Sequence, residues 1–217
     1  MGTLIDASQA LADGTMTIPP LPAVSMEWLL RMEHGAKLDV SLVTAPTHAG
    51  THIDAPSHAI QGGRAIDEIE LDRFLRPASI AAVEVESDGE VSARQLEAAC
   101  GSDIERGDAL IICTGFGSRF GTHEYLDHPA LGLDAVDWIL DHGVSIVGVD
   151  LITVDAAVSR RSEGFAYPVH RGLLGNEVLI IENMADVGRF AGRAVMHAFP
   201  LRYEGRDAAP ARVVLEV

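Results

Sequence analysis

The stretch ALIICTGF, residues 109–116, begins with five apolar residues in succession and continues into a turn that contains glycine. The stretch VSIVGVDL, residues 144–151, has the same continuous apolar character. A strand that is apolar at every position is typical of the centre of a sheet that is covered on both faces. The two stretches therefore predict two central, fully buried strands.

Regular elements are predicted on both sides of this centre. Ser92 is a candidate helix N-cap and Gly101 a candidate helix stop, and a second helix is predicted at 134–143. The PAVSMEWLLRME pattern predicts a third helix at about 22–33. Further strands are predicted at 80–86, 177–184, 194–203 and 211–217, the last of them at a sheet edge. We expect an α/β fold, a single domain over 1–217 with a mixed sheet flanked by helices.

The composition restricts the partners and the compartment. Acidic residues outnumber basic residues 32 to 16, which gives a net charge of −16. Nucleic acid and anionic membranes are therefore poor partners, and a small-molecule substrate is expected. The chain has two cysteines and starts without a basic or long apolar segment, so we expect neither a secretory signal nor a membrane span. The expected location is the cytoplasm.

The stretch THAGTHIDAPSH, residues 47–58, concentrates histidine and aspartate. Gly50 and its β-branched neighbours disfavour a helix, so we expect a loop that runs into an extended segment. Side chains alternate in an extended segment, which places His52 and Asp54 on one side. His48 can curl back toward them across Gly50.

These residues form a credible set of metal ligands. Two neutral imidazoles and one carboxylate suit Zn, Mn or Fe(II), and three protein ligands leave a position for water. A bound metal lowers the pKa of water far enough to supply hydroxide near neutral pH. His58 is expected just outside the ligands, where an imidazole could take up and return a proton.

A second cluster lies far along the chain. His170 precedes an apparent turn at Gly172–Gly175, and Glu182 closes an apolar strand. A carboxylate in that place is either solvated or functional. Asp150 ends another buried strand, where it could hold a ligand imidazole or equally cap the next turn.

The two clusters together resemble the cyclase-like metal-dependent hydrolase family, which includes bacterial kynurenine formamidases and isatin hydrolases. The family pattern H-x-G-T-H-x-D-x-P-x-H is matched in full by His48, Gly50, Thr51, His52, Asp54, Pro56 and His58. The segment IDASQAL near the start and the region 115–155 are also similar to the family. His170 and Glu182 complete the resemblance.

The resemblance implies a site with two divalent metal ions, Zn or Mn. It assigns His48, His52 and Asp54 to one ion, with Asp54 bridging to a second ion. The second ion is then held also by His170 and Glu182, and His58 is the proton donor and acceptor. The resemblance further implies a swivelling β/β/α fold and a homodimer or homotetramer.

One position departs from the bacterial kynurenine formamidases. Those proteins carry a tryptophan before a proline, where this chain has Ile18 before Pro19. An aliphatic side chain does not provide the same stacking surface for an aromatic substrate. Ile18 is therefore the candidate substrate contact, and formylkynurenine becomes a weaker candidate substrate.

The expected function is hydrolysis of a C–N bond in an amide, formamide or lactam, as in an arylformamidase-like amidohydrolase. Two alternatives stay open. One is a ring-opening hydrolase of lactones or of isatin-type lactams, which needs the same carbonyl chemistry. The other is a protein that binds a metal or a small ligand without catalysis, and the presence of His58 beside the ligands argues against it.

Overall fold

The computed structural model describes residues 2–217, and this part of the chain forms thirteen strands and three α-helices. The strands are β1 (Leu4–Asp6), β2 (Ser25–Leu30), β3 (Val40–Thr44), β4 (His52–Asp54), β5 (Leu75–Ala82), β6 (Glu90–Val91), β7 (Ala109–Cys113), β8 (Ala130–Leu131), β9 (Ile146–Val149), β10 (Leu179–Glu182), β11 (Gly192–His197), β12 (Ala208–Pro210) and β13 (Val214–Glu216). The helices are α1 (Ala93–Cys100), α2 (Leu133–Asp141) and α3 (Pro168–Leu174).

Nine of the strands form one mixed sheet in the order β1-β13-β11-β5-β7-β9-β10-β4-β12. Strands β5, β7, β9 and β10 are parallel, and the pairs on both sides of them are antiparallel. The mixed sheet predicted from the sequence is therefore confirmed. The edge position predicted for 211–217 is wrong, because β1 pairs with the outer side of β13.

The central strand β7 is buried on both faces, as its apolar sequence predicts. Leu110 and Ile112 pack in one hydrophobic cluster together with residues of the three helices. Ala109 and Ile111 point to the other face and pack in a second cluster with residues such as Leu215. Because successive side chains of a strand point to opposite faces of the sheet, this single run of apolar residues contributes to both hydrophobic clusters.

The sheet curls around the second cluster. Ser8, just beyond β1, forms an antiparallel bridge with Met184, just beyond β10. The amide of Ala185 donates a hydrogen bond of 2.9 Å to the carbonyl of Ala7. The sheet therefore contributes two layers and the helices a third, and the expected swivelling β/β/α arrangement is confirmed.

The predicted helices at 92–101 and 134–143 are confirmed as α1 and α2. The helix predicted at about 22–33 is wrong. This segment forms β2, which pairs antiparallel with β3 in a separate hairpin whose apolar side chains are exposed. No helix within residues 2–217 is both long and apolar enough to span a bilayer.

Candidate metal centre

Strand β4 carries two of the expected ligands in the middle of three paired strands. It lies between β10 and β12, and His52, Ile53 and Asp54 are all buried. Ile53 faces the hydrophobic core, so His52 and Asp54 face the opposite side. Glu182 stands opposite His52 in the register, and its Oε2 lies 3.6 Å from His52 Nε2.

The loop before β4 turns back and adds His48 to the same place. Gly50 has a left-handed φ of 59°, and a Cβ there would lie 2.5 Å from a methyl group of Leu11. The left-handed conformation favours glycine at this turn, and a larger residue would also have to displace the Leu11 side chain. His48 Nδ1 lies 3.1 Å from His52 Nε2 and 2.9 Å from Asp54 Oδ1.

His170 comes from helix α3, so the turn predicted at Gly172–Gly175 begins later than expected. Pro168 starts the helix, where a missing N–H costs nothing. Asp155 accepts hydrogen bonds from the amide of Val169 at 3.0 Å and from His170 Nδ1 at 2.6 Å. His170 Nε2 then lies 3.3 Å from Glu182 Oε1 and 3.6 Å from Asp54 Oδ2.

The structure decides between the two roles that were open for Asp150. Its carboxylate accepts hydrogen bonds from the amides of Thr114, Gly115 and Gly117, so it holds the turn after β7. Asp155, five residues later, is the carboxylate that orients the imidazole of a candidate metal ligand, His170. The sequence shows both aspartates at the end of β9 but does not indicate which one reaches His170.

Asp207 is a residue of the site that the sequence did not indicate. Its Oδ2 lies 2.8 Å from His48 Nε2 and 3.2 Å from His58 Nδ1. These two hydrogen bonds outweigh partial burial and hold the pKa of the Asp207 carboxyl well below its usual range. The side chain of His58 is 30% exposed, so its ring lies at the boundary between the buried ligands and solvent.

His48, His52 and His170 each direct one ring nitrogen, the inner nitrogen, toward a carboxylate of the cluster. The outer nitrogens donate to fixed acceptors, namely Gly50 O for His52, Asp207 for His48 and Asp155 for His170. In the neutral form of each imidazole the proton sits on the outer nitrogen, and the inner nitrogen then presents a lone pair to a metal. Outer hydrogen bonds of this kind orient histidines that bind metals.

The donor atoms converge in two overlapping groups. One group consists of His52, Asp54 and Glu182, and the other of His48, Asp54 and His58, with ligand atoms within 4.8 Å of one another in each. Asp54 belongs to both groups. With His170, whose Nε2 lies 3.6 Å from Asp54 Oδ2, the structure brings together all six polar residues that the sequence predicted for the site.

The buried carboxylates of the cluster are stabilised by positive charge on the groups around them. Burial opposes protonation of His48, but the carboxylates of Asp54 and Asp207 outweigh it and raise the pKa of His48 to about 10. Burial likewise opposes ionisation of Asp54, but the charges of His52 and His48 outweigh it and hold the Asp54 pKa well below its usual range. Protons or metal ions can supply this positive charge.

Asp54 provides the test of whether a metal fits. Among the residues that the structure describes, neither of its buried carboxylate oxygens has a partner with hydrogen-bond geometry, although His48 Nδ1 is close. A buried carboxylate without such partners is costly, and a cation coordinated by both oxygens removes that cost. Imidazole and carboxylate donors suit Zn or Mn. The residues present therefore fit a metal.

A cavity of about 330 Å³ opens next to the cluster. His58, His170 and Glu182 line one part of it, while Ile18 and Ile152 line an apolar part. Ile18 thus lies where a substrate bound beside the ligands would contact it. The cavity is large enough for a small organic molecule.

The curled mixed sheet and the buried cluster of histidines and carboxylates define a protein built to bind a metal beside a small-molecule cavity. A sequence profile of the cyclase family matches residues 5–156. The chain belongs to the cyclase family, as its sequence motifs predict.

Three relatives illustrate this similarity. A kynurenine formamidase from Salinibacter ruber is 30% identical over 214 residues, which cover 98% of this chain and 96% of the relative. A solved structure described as a potential metal-dependent hydrolase with cyclase activity is 25% identical, with a TM-score of 0.79 and coverage of 99% and 98%. An isatin hydrolase bound to the product analogue thioisatinate is 21% identical, with a TM-score of 0.86 and coverage of 99% and 92%. The last of these shows the fold alone.

Proposed function

We propose that this chain hydrolyses the amide bond of an aryl formamide or a similar small molecule. Membership of the cyclase family and similarity to kynurenine formamidases over nearly the whole length make it a metal-dependent hydrolase of C–N bonds. The observation that carries the proposal is the convergence of two groups of donor atoms on Asp54, beside a cavity of substrate size.

We further propose how the ligands are divided. His48, His52 and Asp54 would hold one divalent ion, Zn or Mn, and Asp54, shared between the two, would hold a second ion together with His170 and Glu182. The presence of Asp54 in both groups of donor atoms supports the bridging role. The 3.3 Å approach of His170 Nε2 to Glu182 Oε1 supports the pairing at the second ion.

A metal held by these residues would supply the chemistry of a lowered water pKa and a polarised substrate carbonyl. The chain moves the protons. His58 Nδ1 is held by Asp207, so His58 Nε2 is free to accept a proton from the attacking water. The same nitrogen returns the proton to the departing amine, and the net reaction adds one water across the C–N bond. The Asp207 carboxylate balances the positive charge that the imidazole carries in between.

Ring opening of a lactam or lactone is the second candidate reaction. Ile18 gives the cavity an aliphatic wall, which favours a substrate that does not rely on aromatic stacking. The same ligands and the same proton carrier serve this reaction, since the carbonyl chemistry is shared. Substrate trials with isatin and simple lactones separate the two candidates.

The first test is hydrolysis of N-formylkynurenine, followed by absorbance, before and after removal of metal by a chelator. We expect turnover that falls at least about a hundredfold on chelation and returns when Zn or Mn is added, because activation of water depends on the ion. Elemental analysis of the same samples gives the metal content. Undiminished turnover by protein shown to be free of metal would contradict the proposal.

We also propose that the chain acts as a single domain in the cytoplasm on a small-molecule substrate, without nucleic acid or membrane as a partner. Its net charge of −16 disfavours polyanionic surfaces. Cys100 and Cys113 are free and buried, which fits a reducing compartment.

The hairpin of β2 and β3 supports a homodimer or homotetramer. Trp28 is 55% exposed, Leu30 50% and Val43 52%, and these side chains lie on a two-stranded ribbon. An isolated ribbon of this kind is marginally stable, and contiguous exposed apolar surface marks an interaction site. We propose that a second copy of the chain covers the hairpin.

Trp28→Glu is expected to shift the protein to a monomer, because it places a charge in the apolar interface. Sedimentation velocity measures the change. Leu71→Glu is the matched control, since Leu71 is 73% exposed and lies outside the hairpin. A wild-type monomer, or the same loss of assembly in both variants, would rule out this interface.

A further inference from the structure

The cavity beside the metal ligands is lined by two positive side chains, Arg161 and Arg171, together with Tyr167 and with apolar residues such as Ile18 and Pro19. The cavity therefore offers both cationic groups and hydrocarbon surface to a ligand. Neither arginine belongs to the cluster of metal ligands.

Arg161 is held in place by neutral groups. Its Nε donates to the carbonyl of Ala156 at 2.8 Å, and its guanidinium carbon lies 5.3 Å from the Phe165 ring centre and 5.0 Å from that of Tyr167. Contacts with aromatic faces orient a guanidinium without neutralising its charge. Arg161 Nη2 is buried and has no hydrogen-bond partner within residues 2–217.

The charge of Arg161 is also left without a carboxylate. Over the described residues, no aspartate or glutamate lies within 4.0 Å of its guanidinium, although acidic residues outnumber basic ones 32 to 16. The adjacent Arg160 is different, because it pairs with Asp127. A partly buried guanidinium without a carboxylate partner destabilises the folded protein, and an anionic ligand that pairs with it removes that cost.

The backbone beside Arg161 is in an unusual conformation. Tyr167 has a left-handed φ of 51° and ψ of 58°, a region that residues other than glycine rarely adopt. Such residues concentrate at ligand-binding sites, where the surrounding structure maintains them. Here the conformation places the Tyr167 ring in the cavity wall, in contact with Arg161 and immediately before helix α3.

We infer that Arg161 binds a carboxylate of the substrate. The inference rests on the proposed function and specifies its substrate class, which is a small amide with an anionic group remote from the scissile bond. A carboxylate accepts two parallel hydrogen bonds from a guanidinium, so a substrate carboxylate would neutralise the charge that Arg161 brings to the cavity. The hydrocarbon body of the substrate packs against Ile18 and Ile152, and the scissile amide lies toward His58.

The test uses two product-type ligands that differ in charge but barely in shape, 4-aminobenzoate and 4-aminobenzamide. Calorimetric titration into the metal-loaded protein is expected to show at least about a tenfold preference for the benzoate, the gain of one charge-assisted pair. Arg161→Gln is expected to reduce the preference to within about twofold while leaving benzamide binding unchanged. Arg161→Lys is expected to keep part of the preference, since the charge remains.

Arg189→Gln is the matched control, because Arg189 packs on Phe190 and does not line this cavity. Equal affinity of the wild type for the two ligands, or no binding of either, overturns the inference. An equal loss of both ligands in Arg161→Gln also overturns it. Turnover of 4-formamidobenzoate and 4-formamidobenzamide is measured separately. If neither is hydrolysed while the binding preference persists, the proposed reaction fails and the carboxylate site stands.

Discussion

His58→Ala is expected to lower kcat by about a hundredfold to ten-thousandfold, the usual contribution of a positioned proton carrier. The expected cause is loss of the imidazole that passes a proton from water to the departing amine. His58 suits this task because Asp207 fixes its Nδ1 at 3.2 Å and because its ring is 30% exposed beside the cavity. Steady-state kinetics on the best substrate gives kcat, and elemental analysis of the same preparation gives the metal content.

The metal content decides what kind of residue His58 is. Because His58 also forms a group of donor atoms with His48 and Asp54, it could serve as a ligand. Retention of the wild-type metal content with low kcat identifies a proton carrier, whereas loss of metal identifies a ligand. His34→Ala controls for removal of an imidazole, since the His34 side chain is 73% exposed and belongs to neither group. Full activity of His58→Ala would exclude both roles.

Asp54→Asn is expected to abolish metal binding and turnover together. Asp54 is the donor shared by both groups of ligands, and its two buried oxygens have no other partner with hydrogen-bond geometry in the described chain. The amide keeps the shape of the carboxylate but removes the charge and one acceptor atom. Elemental analysis is expected to find no bound metal, and kcat/KM is expected to fall by at least about a thousandfold, because the chemistry depends on the ion.

Glu182→Gln is the informative comparison for Asp54→Asn. In the proposed division of ligands, Glu182 serves the second ion alone, so this variant is expected to retain one ion per chain. Complete loss of metal from Glu182→Gln would instead indicate a single ion bound by His52, Asp54 and Glu182. Two ions retained by Asp54→Asn would contradict the bridging role of Asp54.

Much of the candidate site could be predicted from the sequence because most of its residues lie close together in one stretch. His48, His52 and Asp54 occupy a segment whose extended conformation and glycine turn can be inferred from local rules. Asp155 and Asp207 could not be assigned in the same way. Each is a single aspartate in a loop, and only tertiary packing brings it to a histidine of the site.

Local sequence also predicts only part of the fold. Strands β7 and β9 were predicted because they are apolar throughout and are buried on both faces. The segment of β2 predicts a helix from its sequence, because its apolar run, including Trp28 and Leu30, fits the helical period as well as the period of a strand. Its pairing with β3 depends on residues ten to nineteen positions away. Helix α3 is not predicted by the sequence, because Gly172 and Gly175 indicate a turn there. Pro168 at the first helical position is a local signal for the start of this helix.

The position of β4 between β10 and β12 makes metal binding and folding thermodynamically linked. The donor groups come from three segments far apart in sequence, residues 48–58, helix α3 and strand β10, and Asp207 next to β12 orients two of the histidines. The residues on and beside these strands converge only when all three strands are paired. An ion that binds the folded state alone stabilises it by about 4 kcal/mol when free metal exceeds the dissociation constant a thousandfold. The supply of metal to the cell would then set how much folded protein it holds as well as how much is active, and unfolding temperature becomes a measure of ion occupancy.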